Sequence, residues 1–186
     1  MNSKPITVTS RIDGKTFRDF AVFDILIRQK RWKSPAIFAG IMIFFAVICF
    51  TQIGKAEQAG LLGGVLAGIG LILPAVYFGN FFYSIKAQIK KLKLDTPKHV
   101  YTVTLTEAED GITIVTPTGE GGTLRVRWDQ LHMVYQAASC IYLFISPRQA
   151  FLLPSGQADV SDEALEKFLK EKLPQEKWSV INRKNK

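Results

Sequence analysis

Two long uncharged stretches decide the fold: SPAIFAGIMIFFAVICFTQI at 34–53 and QAGLLGGVLAGIGLILPAVYFGNFFYSI at 58–85. An α-helix rises about 1.5 Å per residue, so about 20 residues cross the roughly 30 Å hydrocarbon core of a bilayer. Core helices of soluble proteins usually carry polar residues along one face, and these stretches do not. The sequence therefore predicts a transmembrane hairpin at 34–85, with spans at about 34–53 and 59–83.

The net charge of +8 is concentrated on both sides of this hairpin. Residues 1–34 hold eight Lys/Arg against three Asp, and residues 86–98 hold five Lys against one Asp. Residues 99–186 are slightly acidic, with ten basic and eleven acidic side chains. Lys and Arg near the ends of spans stay on the cytoplasmic side, so both termini are predicted to be cytoplasmic, at a bacterial inner membrane.

The basic residues beside the spans are also candidate contacts for anionic lipid headgroups. They precede the first span or follow the second, as Arg28, Lys30, Arg31, Lys33, Lys86, Lys90, Lys91 and Lys93. A role in setting the topology alone is the alternative interpretation.

Small residues recur every four positions in the second span, at Gly60, Gly64 and Gly68. Such a strip lets another helix approach closely. The strip is predicted to pack against the first span, and a homodimer interface is the alternative.

The residues outside the hairpin predict a small domain rich in β-strands. Residues 6–10 alternate as a short strand, and residues 16–32 have a helical pattern. Six strands are predicted between residues 100 and 154, followed by a helix that Ser161 caps and Pro174 ends. The fold class is thus an α+β membrane protein, in which one C-terminal helix closes a small antiparallel sheet or partial barrel.

Five segments follow from these patterns. They are a cytoplasmic N-terminal strand and helix at 1–33, the hairpin at 34–85, a basic juxtamembrane helix end at 86–98, a cytoplasmic domain at 99–174 and a tail at 175–186. The sequence leaves open whether the N-terminal strand joins the C-terminal sheet.

Several short motifs in this order resemble the YcxB-like membrane proteins of bacteria. They are Asp110-Gly111-Ile112, Gly119-Glu120, Trp128-Asp129, Tyr142-Leu143-Phe144 and the run from Gln149 to Pro154. The resemblance implies a C-terminal domain similar to bacterial pleckstrin-homology-like (PH-like) domains, with seven strands and a closing helix. Relatives tend to continue with basic residues after that proline, whereas this chain has Ser155-Gly156-Gln157-Ala158.

No pattern indicates catalysis or a cofactor. The two histidines lack Cys or carboxylate neighbours at ligand spacing, so no metal site is predicted. Nucleophile motifs and phosphate-binding glycine loops are missing from the sequence, and no nucleic-acid recognition motif accompanies the basic residues. Trp128 is expected to fill the sheet core and Asp129 to cap a turn, and a partner contact at Trp128 and Asp129 is the alternative.

We therefore expect a non-enzymatic bacterial inner-membrane protein with a PH-like domain that binds a protein partner or anionic lipid headgroups. An immunity or resistance protein against a membrane-active peptide or bacteriocin is the alternative function, by analogy of build alone.

Overall fold

A computed structural model describes residues 4–54, 56, 58–108, 110–116 and 122–181. The chain forms two compact units, one combining residues 1–17 with 93–186 and the other comprising 18–92. We call them the sheet unit and the hairpin unit. The connector residue Lys55, the Gly119-Glu120 motif and positions 182–186 of the predicted tail lie outside the described residues.

The first sheet of the sheet unit has four antiparallel strands in the order β1-β2-β3-β4. These strands are β1 (Ile6–Ile12), β2 (Lys98–Leu105), β3 (Ile112–Val115) and β4 (Thr123–Val126). The N-terminal strand does join the C-terminal sheet, because β1 pairs with β2 from Ile6 opposite Leu105 to Ile12 opposite Lys98. The hairpin unit is thus an insertion between two neighbouring strands.

The second sheet has the order β7-β6-β5-β8. Its strands are β5 (Met133–Ala137), β6 (Cys140–Ser146), β7 (Gln149–Pro154) and β8 (Trp178–Val180). β5, β6 and β7 are antiparallel neighbours, whereas β8 pairs with β5 in parallel.

The predicted architecture of one sheet or a partial barrel is therefore wrong in two respects. The strands form two sheets, and their ladders do not close into a barrel within the described residues. In addition, the predicted tail contributes β8, which has only three residues and is therefore too short to show a strand pattern in the sequence.

A fully buried polar cluster connects the two sheets. Ser10 of β1 is 0% exposed, and its Oγ donates a hydrogen bond to the Leu152 carbonyl of β7 at 2.8 Å. The Tyr101 hydroxyl of β2 donates to the same carbonyl at 3.1 Å and accepts from the Leu152 N–H. Each polar group of this cluster is thus paired, as a stable interior requires.

The segment that departs from the family pattern also has a structural role here. The Gln157 side chain accepts a hydrogen bond from the Arg11 N–H at 2.6 Å and donates to the Arg11 carbonyl at 3.0 Å. The Gln157 carbonyl accepts from the Thr9 N–H, and Ala158 forms a bridge with Val8. These contacts explain why a polar amide fits this position, since it pairs with the backbone of β1.

Helix α4 (Asp162–Lys172) covers apolar residues of the sheet unit, as predicted. Ser161 caps it, because the Ser161 Oγ accepts a hydrogen bond from the Ala164 N–H at 3.2 Å. Leu165 and Leu169 are buried, and Pro174 follows the helix end. This part of the sequence prediction is confirmed.

The hairpin unit contains two long apolar helices, α2 (Lys33–Thr51) and α3 (Ala59–Lys91). Their most apolar windows have mean hydropathies of 2.2 and 2.1, and only 6% and 11% of those residues are buried. A helix in a soluble core would be mostly buried, so this exposure is compatible with a membrane protein.

The chain between β1 and α2 is more broken than the predicted helix at 16–32. Helix α1 (Gly14–Val22) is followed by a π-helical segment, Phe23–Arg28. Asp13 caps α1, since its carboxylate accepts a hydrogen bond from the Thr16 N–H at 2.8 Å. That hydrogen bond also lowers the pKa of Asp13. A turn then leads into α2, and the predicted continuous helix to residue 32 is wrong.

Candidate lipid-binding site

The turn before α2 presents three of the predicted headgroup contacts. Lys30 has a left-handed backbone, with φ at 52°, a conformation that costs a non-glycine residue about 1 kcal/mol. The turn is closed by backbone hydrogen bonds from Arg31 N to Ile25 O at 3.1 Å and from Lys33 N to Lys30 O at 3.0 Å. Lys30, Arg31 and Lys33 are all exposed.

Arg28 differs from its neighbours because it has an acidic partner. Its guanidinium Nε lies 2.5 Å from an Asp24 carboxylate oxygen, and the Arg28 side chain is only 15% exposed. This i, i+4 pair neutralises Arg28 within the π-helical segment. Arg28 therefore has a structural role in this segment, and its contact with headgroups stays a prediction.

The other predicted contacts occupy the C-terminal end of α3. Lys86, Lys90 and Lys91 are exposed, and Lys86 and Lys90 lie one turn apart on the same helix face. Like charges at this spacing repel one another by a few tenths of a kcal/mol, which an anionic ligand would relieve. Lys93 lies beyond the helix end, in the sheet unit, with φ at 54°.

Arg31 and the α3 lysines stand at different depths along the hairpin. A groove places Arg31 and Ser34 beside Pro74 and Tyr77 of α3. Lys86 follows Tyr77 by nine residues, so it lies about 13 Å further along the helix axis. The structure thus forms two cationic tiers from the predicted set, and does not bring them to one level.

The groove has both polar and apolar lining residues. Its volume is about 510 Å³, and it is lined by residues 31, 34, 35 and 38 before and within α2, and by 73, 74 and 77 of α3. Arg31 offers a positive charge, and Ser34 and Tyr77 offer hydroxyls. Phe38 and Leu73 provide apolar surface. Residue spacing carries no signal for this groove, because the groove depends on which faces of the two helices meet.

Aromatic residues fill the length of α3 between the two tiers. Tyr77 and Phe78 have ring centroids 5.4 Å apart, and Phe81 and Phe82 have centroids 5.1 Å apart. Tyr83 is 72% exposed. Aromatic side chains are enriched at the headgroup level of membranes, so this segment has the composition of an interfacial belt.

The glycines that approach α2 most closely are not the predicted strip. A Cβ at Gly63 would lie 2.9 Å from the Phe50 ring, and a Cβ at Gly70 would lie 2.8 Å from the Met42 Cβ. A Cβ at Gly60 would have ordinary contact with Ile53 at 3.7 Å, whereas Gly64 and Gly68 have nothing within 4 Å. The predicted packing of this strip against the first span is therefore corrected for Gly64 and Gly68, which face away from α2.

Helix geometry explains the correction. Four residues advance an α-helix by about 400°, so a strip of every fourth residue turns away from its neighbour by about 40° per step. Seven residues drift by only about 20° the other way, which keeps Gly63 and Gly70 on one seam. A seven-residue spacing of glycines was the signal in the sequence.

In the sheet unit, the structure favours the core interpretation of Trp128. The Trp128 ring is 8% exposed, packs edge-on against Phe168 of α4 and donates from Nε1 to the Thr106 carbonyl at 3.2 Å. The Asp129 side chain is 63% exposed, and both of its oxygens accept from the Arg127 guanidinium at 3.1 Å. Of the predicted pair, only Asp129 presents its side chain to solvent.

Reactive side chains of the sheet unit are buried. Burial raises the pKa of the Cys140 thiol to about 12, and it also raises the pKa of Tyr101. Over the described ranges, no group of three or more His, Cys, Asp or Glu residues is arranged to hold a metal ion.

The comparisons with known proteins agree with the resemblance. Residues 108–171 match the family model described as YcxB-like protein, so the predicted family is confirmed for that segment. No curated protein matches the chain, and no solved structure matches it either.

Proposed function

We propose that the protein is a non-enzymatic bacterial inner-membrane protein that binds anionic lipid headgroups at the cytoplasmic face and carries a PH-like interaction domain. One observation carries the proposal: residues 18–33 and 86–91 hold eight Lys/Arg against two Asp. These residues lie at the start of α2 and at the end of α3, beside the two uncharged apolar stretches. Each basic side chain near an anionic surface contributes about 1 kcal/mol to binding.

The exposure of the hairpin supports its place in a bilayer. Large apolar side chains such as Leu61, Leu71 and Ile72 are 73%, 63% and 61% exposed. Contact of so many apolar side chains with water would be costly, whereas lipid chains would cover them. Positive residues are retained in the cytoplasm, so both termini are proposed to lie there.

The strand order supports the PH-like assignment of the sheet unit. β1 to β4 form one sheet, β5 to β7 are consecutive antiparallel strands of the other, and α4 follows β7. Seven strands and a closing helix are what the family resemblance implies. In this proposal the hairpin is inserted between the first and second strands of a PH-like domain.

Lipid binding is tested by counting bound lipids on the full chain. The protein is purified in mild detergent with phosphatidylglycerol or phosphatidylcholine, and native mass spectrometry measures the lipids retained. We expect a preference for phosphatidylglycerol that falls as salt rises, because charge attraction is screened. Replacing Arg31, Lys33, Lys86, Lys90 and Lys91 with Gln is expected to remove most of the preference.

A matched control separates local from overall charge. Replacing Lys4, Arg125, Arg148, Lys167 and Lys172 with Gln makes the same change in net charge within the sheet unit. We expect this variant to retain the preference. Equal loss in both variants, or equal retention of the two lipids by the unmodified protein, would contradict the proposed lipid binding.

Topology is tested separately. An accessible tag at either terminus should be labelled only after the inner membrane is permeabilised. Labelling from the periplasmic side would contradict the proposed orientation, and recovery of the intact chain in the detergent-free supernatant would contradict membrane insertion.

A further inference from the structure

Strand β8 occupies one edge of the second sheet. Val134, Tyr135 and Gln136 of β5 pair in parallel with Trp178, Ser179 and Val180. The Ile181 N–H then donates to the Gln136 carbonyl at 2.8 Å. Among the strands that the structure describes this is the only parallel pair, and β8 is a strand supplied by the end of the described chain.

Helix α4 forms a second wall beside this edge. Glu166 of α4 accepts a hydrogen bond from the Gln136 side chain of β5 and pairs with Lys170. The Lys170 Nζ lies 5.3 Å from the centroid of the Trp178 ring, which is a cation–π distance. The edge of β5 and this face of α4 therefore form a groove, with Trp178 as its aromatic occupant.

Lys177, the residue before Trp178, also contacts the rest of the sheet unit. The Lys177 Nζ donates a hydrogen bond to the Asp129 carbonyl at 2.7 Å. The contacts thus involve a basic residue at the end of a 3₁₀ turn (Gln175–Lys177), then an aromatic residue, and then extended residues that pair with β5.

The hold on β8 is weak compared with that on the other strands. Only three residue pairs join β8 to β5, whereas seven join β1 to β2. The buried Trp178 Nε1 donates no hydrogen bond within the described chain, which weakens the hold on this segment. Val180 is 53% exposed. The segment also lies after the YcxB-like match at 108–171.

We propose that the β5 edge and α4 form a peptide-binding groove that residues 175–181 occupy in the free protein. The partner is a protein with a segment in which a basic residue precedes an aromatic residue and a short extended stretch. This segment displaces β8, and its extended part adds to β5 as a strand. Strand addition to an open edge is a general mode of peptide recognition, in which main-chain hydrogen bonds provide affinity and side-chain contacts provide specificity. The inference rests on the proposed interaction role of the sheet unit and not on lipid binding.

The attached segment sets a threshold for the partner. A segment tethered to its own groove acts at an effective concentration in the millimolar range, so a free peptide of the same sequence competes poorly. A substitution that weakens the pairing of β8 should therefore increase the affinity of the groove for a free peptide, while β5 and α4 stay unchanged.

The test uses the full chain in detergent and a fluorescent peptide of sequence QEKWSVI, which copies residues 175–181. Fluorescence anisotropy measures its binding to the unmodified protein and to the Trp178→Ala and Ile181→Pro variants. The first variant removes the aromatic occupant, and the second removes the N–H that bonds to Gln136. We expect both variants to bind the peptide at least about tenfold more tightly than the unmodified protein. A peptide with Ala in place of the tryptophan should not bind.

Trp32→Ala is the matched control, because Trp32 belongs to the hairpin unit and is 46% exposed. This variant should bind the peptide as weakly as the unmodified protein. Hydrogen exchange at β6 reports whether each variant is folded, and peptide addition should restore protection at β5. If Trp178→Ala loses hydrogen-exchange protection at β6, this variant is not folded, and the affinity of Ile181→Pro for the peptide tests the proposal instead.

The proposal is overturned if a folded variant gains no affinity, or if the unmodified protein and both variants bind equally. Counting retained phosphatidylglycerol on the same samples distinguishes the two proposals. Peptide binding that fails while the lipid preference persists would reject the groove alone.

Discussion

The two units of this chain bury apolar side chains in opposite ways. In the sheet unit, Val8, Val103, Leu105 and Ile112 are 0% exposed. In the hairpin unit, the buried positions of α3 are mostly small, and its large apolar residues point outwards. The sheet unit thus buries its large apolar side chains in its own core, whereas the hairpin unit exposes its large apolar side chains on its surface. The difference shows that apolar content alone says little until the solvent of each unit is considered.

The largest effect that would sharpen this comparison is expected at Gly111. A Cβ there would lie 2.3 Å from the Thr106 carbonyl oxygen and 2.4 Å from the Trp128 Nε1. Gly111→Ala should therefore lower the free energy of unfolding of the sheet unit by about 3 kcal/mol, since backbone atoms must move. Denaturant unfolding followed by Trp fluorescence measures the change. Gly64→Ala is the control, as it meets nothing within 4 Å. Similar stability of both variants would contradict the close packing at Gly111.

Alkaline pH should destabilise the sheet unit because it ionises groups that the folded state keeps neutral. The pKa of Cys140 rises from an ordinary value of 9.0 to about 12 on folding. Its contribution is complete below pH 9, and it is lost as the pH rises towards 12. Tyr101, whose pKa is also raised, acts in the same direction. At pH 10.5 the loss from Cys140 alone should be about 2 kcal/mol.

Denaturant unfolding at pH 7 and at pH 10.5 measures this loss. Cys140→Ala should show a smaller decrease between the two pH values than the unmodified protein, because only Tyr101 then contributes. An identical decrease in both proteins would show that Cys140 ionises equally in the folded and unfolded chains.

The seam between α2 and α3 predicts a smaller effect, confined to the hairpin unit. Gly70→Ala places a methyl group 2.8 Å from the Met42 Cβ and should cost about 1–2 kcal/mol. Gly68→Ala has open space and should be neutral or slightly stabilising, because Ala favours helices. Thermal unfolding of the two variants in detergent compares them. If Gly68→Ala lowered the stability more than Gly70→Ala, the close helix contact of α3 would lie on the side of Gly64 and Gly68 instead.

The smallest effect is expected at the start of α4. Ser161→Ala removes the acceptor for the Ala164 N–H and should cost about 1 kcal/mol. Ser155→Ala, in the turn after β7, serves as the control and should change the stability little. Equal losses in the two variants would mean that the cap contributes nothing specific.

Sequence reasoning succeeded where one segment contains its own signal. Residues Cys140–Ser146 form β6 within the region where six strands are predicted, and Ser161 caps α4 as predicted. Two runs of uncharged residues similarly give α2 and α3, although α3 extends to Lys91, beyond the predicted span end at 83. Such features depend on local periodicity and on end signals.

The sequence failed where a feature depends on which segments meet. β8 has three residues and is a strand only because β5 lies beside it. The groove at Arg31 and Tyr77 and the seam at Gly63 and Gly70 depend on the facing sides of two helices. The burial of Trp128 depends on Phe168, which is 40 residues away in the sequence. These contacts join residues that are distant in the sequence, so no local sequence pattern predicts them.

The position of the hairpin between β1 and β2 has a consequence for the order of events on the ribosome. β1 is made first, but its partner at Lys98–Leu105 appears only after both long helices have been synthesised. An unstructured connection of that length would make the pairing entropically costly and slow. Pairing of α2 with α3 turns the chain back on itself, and the hydrogen bond from Gly14 N to Leu94 O at 2.7 Å marks where its two flanks meet. β1 can therefore pair with β2 only after the hairpin has been synthesised, and we expect this pairing to be slower in a chain whose two helices do not pair.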